Sequence, residues 1–174
     1  MLGKTRWHIE ERPPNEGANE DAIDAQLAAF SPRERAELLE RVPLFAKLRP
    51  ADRKNLAAVG IMRGYPAGAE LIHEGQRPGV GLYVILRGRV RLTQRSDLDV
   101  VRPLTVLGPG EMFGEMALID ELPRSATATA IDSTLAFIIP IFDFRAALLE
   151  NPDATFWLLG MLSRRVRTAE ASNC

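Results

Sequence analysis

From Arg63 to Ile139 the chain is a run of short, apolar and β-branched segments between Gly and Pro punctuation. The expected strands are Glu70–His73, Leu82–Leu86, Arg89–Gln94, Val100–Leu107, Ala126–Ala130 and Leu135–Ile139. Hardly a helix fits between them, and that restricts the fold more than any other feature. So many short strands must pair without leaving long open edges, and an antiparallel roll closed on itself achieves this. Leu82 to Leu86, then Gly88 and the alternating Arg89-Val90-Arg91-Leu92, reads as a half-buried hairpin. The fold class is mainly β with flanking helices (α+β).

One stretch inside this region carries chemistry. Gly108 to Ala130 reads GPGEMFGEMALIDELPRSATATA. Gly108, Gly110 and Gly114 permit tight turns, and Glu115 to Ile119 can begin a short helix. A helix start presents free N–H groups and the positive end of a dipole to an anion. Arg124 is a planar, permanently charged donor suited to a phosphate. Glu115 is a carboxylate suited to accept from hydroxyls. Phosphate and sugar hydroxyl together describe a nucleotide pocket. Each piece also has a plainer reading: Gly-Pro-Gly as a hairpin turn, the Glu and Arg as a solvated surface pair.

The whole order is more specific than its parts: Phe-Gly-Glu-Met-Ala-Leu, a polar loop, then Pro-Arg-Ser-Ala-Thr. It resembles the phosphate-binding cassette of the cyclic nucleotide-binding domain family, which includes the bacterial catabolite activator proteins and the regulatory subunits of cAMP-dependent protein kinase. The resemblance begins near Val42, at the Pro-Leu-Phe turn, and runs to about Arg167. It implies an eight-stranded antiparallel jelly-roll β-barrel interrupted by the cassette. It also implies two C-terminal helices that move over a bound nucleotide. By the same resemblance the ribose 2′-hydroxyl goes to Glu115 and the cyclic phosphate to Arg124. Backbone N–H groups of Gly114, Glu115, Met116 and Ala117 assist, as do Ser125 and Ala126, while Phe113 and inner strand residues wall the pocket. Family members preferring cGMP often carry Thr directly after the Arg; Ser125 stands there, so cAMP is expected over cGMP. One departure lies beside the pocket. The loop Gln76 to Gly81 is one residue longer than usual, with Val80 near the customary acidic position.

The flanks supply the rest of the organisation. Met1 to Asn19 mixes charges with Pro13, Pro14 and Gly17 and is expected to be a flexible arm. Residues 20–41 carry two helical patterns, Ile23, Leu27 and Phe30 in the first and Leu38, Leu39 and Val42 on the second. Ser31-Pro32-Arg33-Glu34 reads as the start of the second, a capping box with Pro in the first turn. These helices either pack back on the domain or join two subunits as a homodimer. Residues 42–174 form the binding domain, with the roll at 63–139 and helices at 141–169. The last helix, capped by Asp153, carries the stripe Phe156, Leu159, Leu162 and Val166. Arg164, Arg165 and Arg167 are read as cations complementing its C-terminus.

Several classes are disfavoured. The net charge of −1 gives no whole-chain footprint for DNA or an anionic membrane. Only Thr168 to Cys174 follow the basic cluster, so a helix-turn-helix unit and direct operator binding are not expected. Neither a signal peptide nor a membrane span is expected, and a single terminal Cys174 fits a reducing, cytoplasmic setting. A metal-dependent jelly-roll enzyme would need clustered histidines, and the chain has only His8 and His73, the latter read as a structural strand residue. No enzyme activity and no metal are therefore expected. The reading is a cyclic nucleotide receptor acting on an unidentified protein effector. Its rival is a protein-interaction module of the same fold that binds no ligand.

Overall fold

The computed structural model describes residues 30–172, apart from Pro78, Val80 and Asp97. The N-terminal arm and nearly all of the first expected helix lie outside the described residues. The second helix, α1 (Pro32–Glu40), starts as its sequence dictates. Glu34 donates its main-chain N–H to Ser31 Oγ at 3.3 Å, and Ser31 N–H returns a bond to the Glu34 carboxylate at 2.7 Å. A 3-10 turn (Phe45–Lys47) and α2 (Pro50–Val59) complete the N-terminal layer.

Eight strands follow: β1 (Ile61–Tyr65), β2 (Glu70–Ile72), β3 (Gly81–Arg87), β4 (Val90–Arg95), β5 (Val101–Leu107), β6 (Met112–Phe113), β7 (Thr127–Ala130) and β8 (Thr134–Pro140). The short helix α3 (Met116–Ile119) stands between β6 and β7, and α4 (Ile141–Glu150) and α5 (Pro152–Ser172) close the chain. The expected strands are present with ends shifted by a residue or two. Two strands were not expected: β1, which contains Gly64, and the two-residue β6.

The strands form two four-stranded antiparallel sheets, in the orders β1-β8-β3-β6 and β2-β7-β4-β5. Four of the ladders follow a single long hairpin folded over on itself: β4 with β5 at its tip, then β3 with β6, β2 with β7, and β1 with β8. That is jelly-roll connectivity, realised as two sheets facing each other. The roll interior holds Ile72, Ile85, Val90, Leu107, Phe113 and Ala128. The first sheet is covered on both faces, which is why Leu82 to Leu86 is apolar without interruption. Leu82 and Val84 face the helical layer, where they join Leu39, Phe45, Leu56, Phe137 and Phe144 in the largest cluster. Among the described residues, α1 therefore packs back on the domain through Ala36 and Leu39.

Two expectations for α5 are corrected. The helix begins at Pro152 rather than after Asp153, because Asn151 O accepts the N–H groups of Ala154 and Thr155. The stripe Phe156, Leu159 and Val166 is exposed, Phe156 at 74%, while Ala154 and Leu158 are buried and Leu162 is half-buried. Apolar residues cover a wide arc of this helix, so spacings of three and four fit both faces; only docking against the 3-10 turn and α4 chooses between them. His73 is likewise corrected: it follows β2 and pairs in the open with Glu70 Oε1 at 2.7 Å.

The joint between α4 and α5 is built on Asn151, which is 4% exposed. Its Oδ1 accepts the N–H of Arg49 at 2.8 Å, and its Nδ2 donates to Asp52 Oδ2 and to Ala147 O at 2.9 and 2.7 Å. Asn151→Ala removes three hydrogen bonds that tie the joint to α2 and α4, although Asp52 Oδ2 keeps its bond from Arg49 Nε. We expect it to lower stability by about 2–3 kcal/mol, read as a lower urea midpoint with an unchanged slope.

Candidate functional site

The hairpin connectivity explains where the cassette lies. β6 belongs to the first sheet and β7 to the second, so the segment from Gly114 to Ala126 must cross between sheets. β2 belongs to the second sheet and β3 to the first, so the Gln76–Gly81 loop crosses there as well. Because β2 pairs with β7 and β3 with β6, the two crossings run side by side. Main-chain bonds tie them: Arg124 N–H donates to Gln76 O at 2.8 Å and Gly75 N–H to Arg124 O at 2.9 Å.

Arg124 is held between these crossings and is 5% exposed. Its Nη1 donates to Gly114 O at 2.7 Å and its Nη2 to Gly81 O at 3.2 Å. A guanidinium carries five N–H donors, so this anchoring uses two. Gly114 adopts φ of 85°, and a Cβ there would stand 2.7 Å from Arg124 Nη1; both facts call for glycine. Burial pushes the Arg124 pKa down, opposed by Tyr83 and by the negative charge of Glu115.

Glu115 is 1% exposed and precedes α3. Burial raises its carboxyl pKa, opposed first by the charge of Arg165, with a smaller contribution from Arg124. Arg165 Nη1 donates to Glu115 Oε1, and Arg165 Nη2 donates to Met112 O at 2.9 Å. Glu115 Oε2 is buried and has no hydrogen-bond partner among the described residues. The role expected for Arg165 is thus corrected. α5 continues to Ser172, its last turn holds no basic residue, and Arg165 reaches back to the cassette. The basic cluster was visible in the sequence, but its partner stands fifty residues earlier and only the tertiary fold joins them.

The other expected site residues fall around this pair. Phe113 is buried in the roll and stacks on Tyr83, ring centroids 5.1 Å apart. Ala117 is buried within α3. Helix geometry leaves the first N–H groups of α3 without intrahelical partners. Met116 and Ser125 face each other across the cassette, Ser125 Oγ lying 4.0 Å from Met116 Sδ. Ala126 is half-buried where the crossing enters β7. Glu115 and Arg124 are not ion-paired with each other. The arrangement sets a carboxylate oxygen, a guanidinium and a helix start at one crossover, a set able to hold a hydroxyl and an anion together.

A jelly roll whose crossover carries a buried carboxylate and guanidinium has known relatives. The cyclic nucleotide-binding domain model matches residues 62–151, and the chain belongs to that family. The Cyclic AMP receptor protein of Thermus thermophilus is 36% identical over 128 residues, 74% of this chain and 59% of that protein. The crystal structure of Thermus thermophilus catabolite activator protein superposes with a TM-score of 0.66 at 35% identity, covering 75% of this chain and 61% of that one. The regulatory domain of Toxoplasma gondii PKA, co-crystallised with cAMP, gives a TM-score of 0.63 at 27% identity, with 71% and 46% covered. The chain spans less than two thirds of the length of each. Among the described residues no helix is long and apolar enough to cross a membrane.

Proposed function

We propose that this domain is a regulatory receptor for a cyclic nucleotide, cAMP in preference to cGMP, and that it is not itself an enzyme. The observation that carries the reading is Glu115 Oε2, a buried carboxylate oxygen with no donor among the described residues, at the crossover that also holds Arg124. Such an atom is costly to keep unless something supplies a donor. In this reading a ribose 2′-hydroxyl donates to Glu115 and the cyclic phosphate meets Arg124. Main-chain N–H groups of Gly114, Glu115, Met116 and Ala117, with Ser125 and Ala126, surround the phosphate, and Phe113 stiffens the wall behind it. Binding is transmitted to a protein effector through α4 and α5. A homodimer belongs to the same proposal, and the exposed apolar stripe of α5 offers a surface for it.

A ligand-free interaction module has one observation in its favour: both charged groups already hold partners within the chain, Arg124 on two carbonyls and Glu115 on Arg165. Calorimetric titration with cAMP, cGMP and AMP separates the two readings. We expect saturable binding of cAMP, weaker binding of cGMP and none of AMP. At a hundredfold excess over its Kd the bound nucleotide adds about 2.7 kcal/mol to stability, a rise in Tm of roughly 5–10 °C. Neither heat nor shift, from folded protein freed of co-purified nucleotide, hands the case to the interaction module.

A further inference from the structure

The methionines of this domain are not equally sheltered. Met62 and Met112 are buried, and Met161 is partly buried against the helical layer. Met116 is 46% exposed, and no other methionine among the described residues is as open. It is the first residue of α3, directly after Glu115, so its thioether belongs to the cassette itself. Ser125, which follows Arg124, brings its Oγ to 4.0 Å from Met116 Sδ. A thioether accepts weakly, so the Ser125 proton is only loosely held there. The sulfur thus combines an open approach from solvent with a hydroxyl donor already beside it.

We propose that Met116 is a redox modification site: a peroxide converts its thioether to the sulfoxide and thereby weakens nucleotide binding. This rests on the receptor reading and adds a control to it. A sulfur lone pair attacks one oxygen of hydrogen peroxide, and the S–O bond forms as the O–O bond breaks. Proton transfer between the two peroxide oxygens releases one water. Sulfur loses two electrons and the peroxide gains them, so no further reactant is needed. The product is polar, and its oxygen is a much stronger acceptor than the sulfur it replaces. Ser125 Oγ is the donor already placed beside that atom, so the sulfoxide captures the hydroxyl that faces the cyclic phosphate in the receptor reading. Its partly negative oxygen also stands next to the anion, in a cassette whose cation, Arg124, is buried and poorly screened. Both effects oppose an anionic ligand. Met62 and Met112 lie behind packed side chains, so oxidation of the folded domain falls first on the cassette.

The test uses the full chain carrying Cys174→Ser, which removes the thiol as a second target. The folded protein is treated with hydrogen peroxide, mapped by peptide mass and titrated with cAMP at each stage of conversion. Met116 is expected to react about tenfold faster than Met62 or Met112. Affinity for cAMP should fall roughly 5- to 30-fold as Met116 is converted, and methionine sulfoxide reductase should restore it. Each variant is compared with itself before and after peroxide. Met116→Leu should show no change on treatment, and Met161→Leu should lose affinity as the parent does. Unchanged affinity with Met116 fully converted overturns the proposal. So does a loss that persists in Met116→Leu, which would put the sensitive group elsewhere. Should Met116→Leu fail to fold, the time course in the parent decides. A loss that tracks conversion of Met116 and is reversed by the reductase supports the proposal, and one that tracks another methionine overturns it. If the untreated protein binds no cyclic nucleotide, the receptor reading fails and this proposal falls with it; binding that peroxide leaves unchanged removes this proposal alone.

Discussion

Arg124→Ala is expected to weaken cyclic nucleotide binding by roughly 10² to 10³-fold or more. Arg124 is 5% exposed, so in the proposed site a phosphate would meet a charge poorly screened by water. Losing one partner of such a pair costs roughly 3–5 kcal/mol. The substitution also removes the donors to Gly114 O and Gly81 O, so part of its effect falls on the loop frame itself. Arg124→Lys separates the two contributions. A single ammonium keeps the charge but cannot reach both carbonyls and a phosphate together, so affinity should return only in part. Titration of the three proteins, with thermal unfolding of each alone, reads binding and frame independently. Wild-type affinity in Arg124→Ala would remove Arg124 from the binding site.

Phe137→Ala is the largest stability loss we expect, about 3–5 kcal/mol. Phe137 is 1% exposed at the centre of β8, facing Met62 on β1 and Val84 on β3 in the register. Its ring belongs to the cluster that joins the first sheet to α1, α2, α4 and α5. Gly60 is the measure of how closely that ring is enclosed: a Cβ there would fall 2.2 Å from Phe137 Cζ. A domain of ordinary stability holds about 5–15 kcal/mol in total, so the substitution removes a large share. For this chain length the Tm should drop by roughly 6–20 °C. A drop of only a degree or two would mean that the helices are not held to the roll through this ring.

The strands were legible because β-branched and apolar runs between turn residues are local signals, and Leu82 to Leu86 is a clear instance. β6 was not legible, since two residues show no period, and it is defined only by pairing with Tyr83 and Val84. β1 was obscured by Gly64 and by the helix that ends one residue before Gly60. Glu115 and Arg124 stood out as a pair of residue types in a specific order. Their side-by-side crossings did not, because which strands share a sheet is decided by long-range pairing. Arg165 and Asn151 mark the limit most clearly. One looked like a helix-end cation, and the other carries no local sign of its contacts. Their partners, Glu115 in one case and Arg49 and Asp52 in the other, are distant in the sequence.

The anchoring of Asn151 has a mechanical consequence. If binding is transmitted through α5 as proposed, the joint pinned to α2 makes that helix a lever with its fulcrum at Pro152. At 1.5 Å of rise per residue, Arg165 stands about 20 Å along the arm and Ser172 about 30 Å. A rotation of only ~10° at the fulcrum carries Arg165 through roughly 3–4 Å and the tip through about 5 Å. The first distance is enough to part the guanidinium from the carboxylate. In that reading a small change of angle at the joint becomes a displacement of atomic size at Glu115, and a larger one where the helix ends.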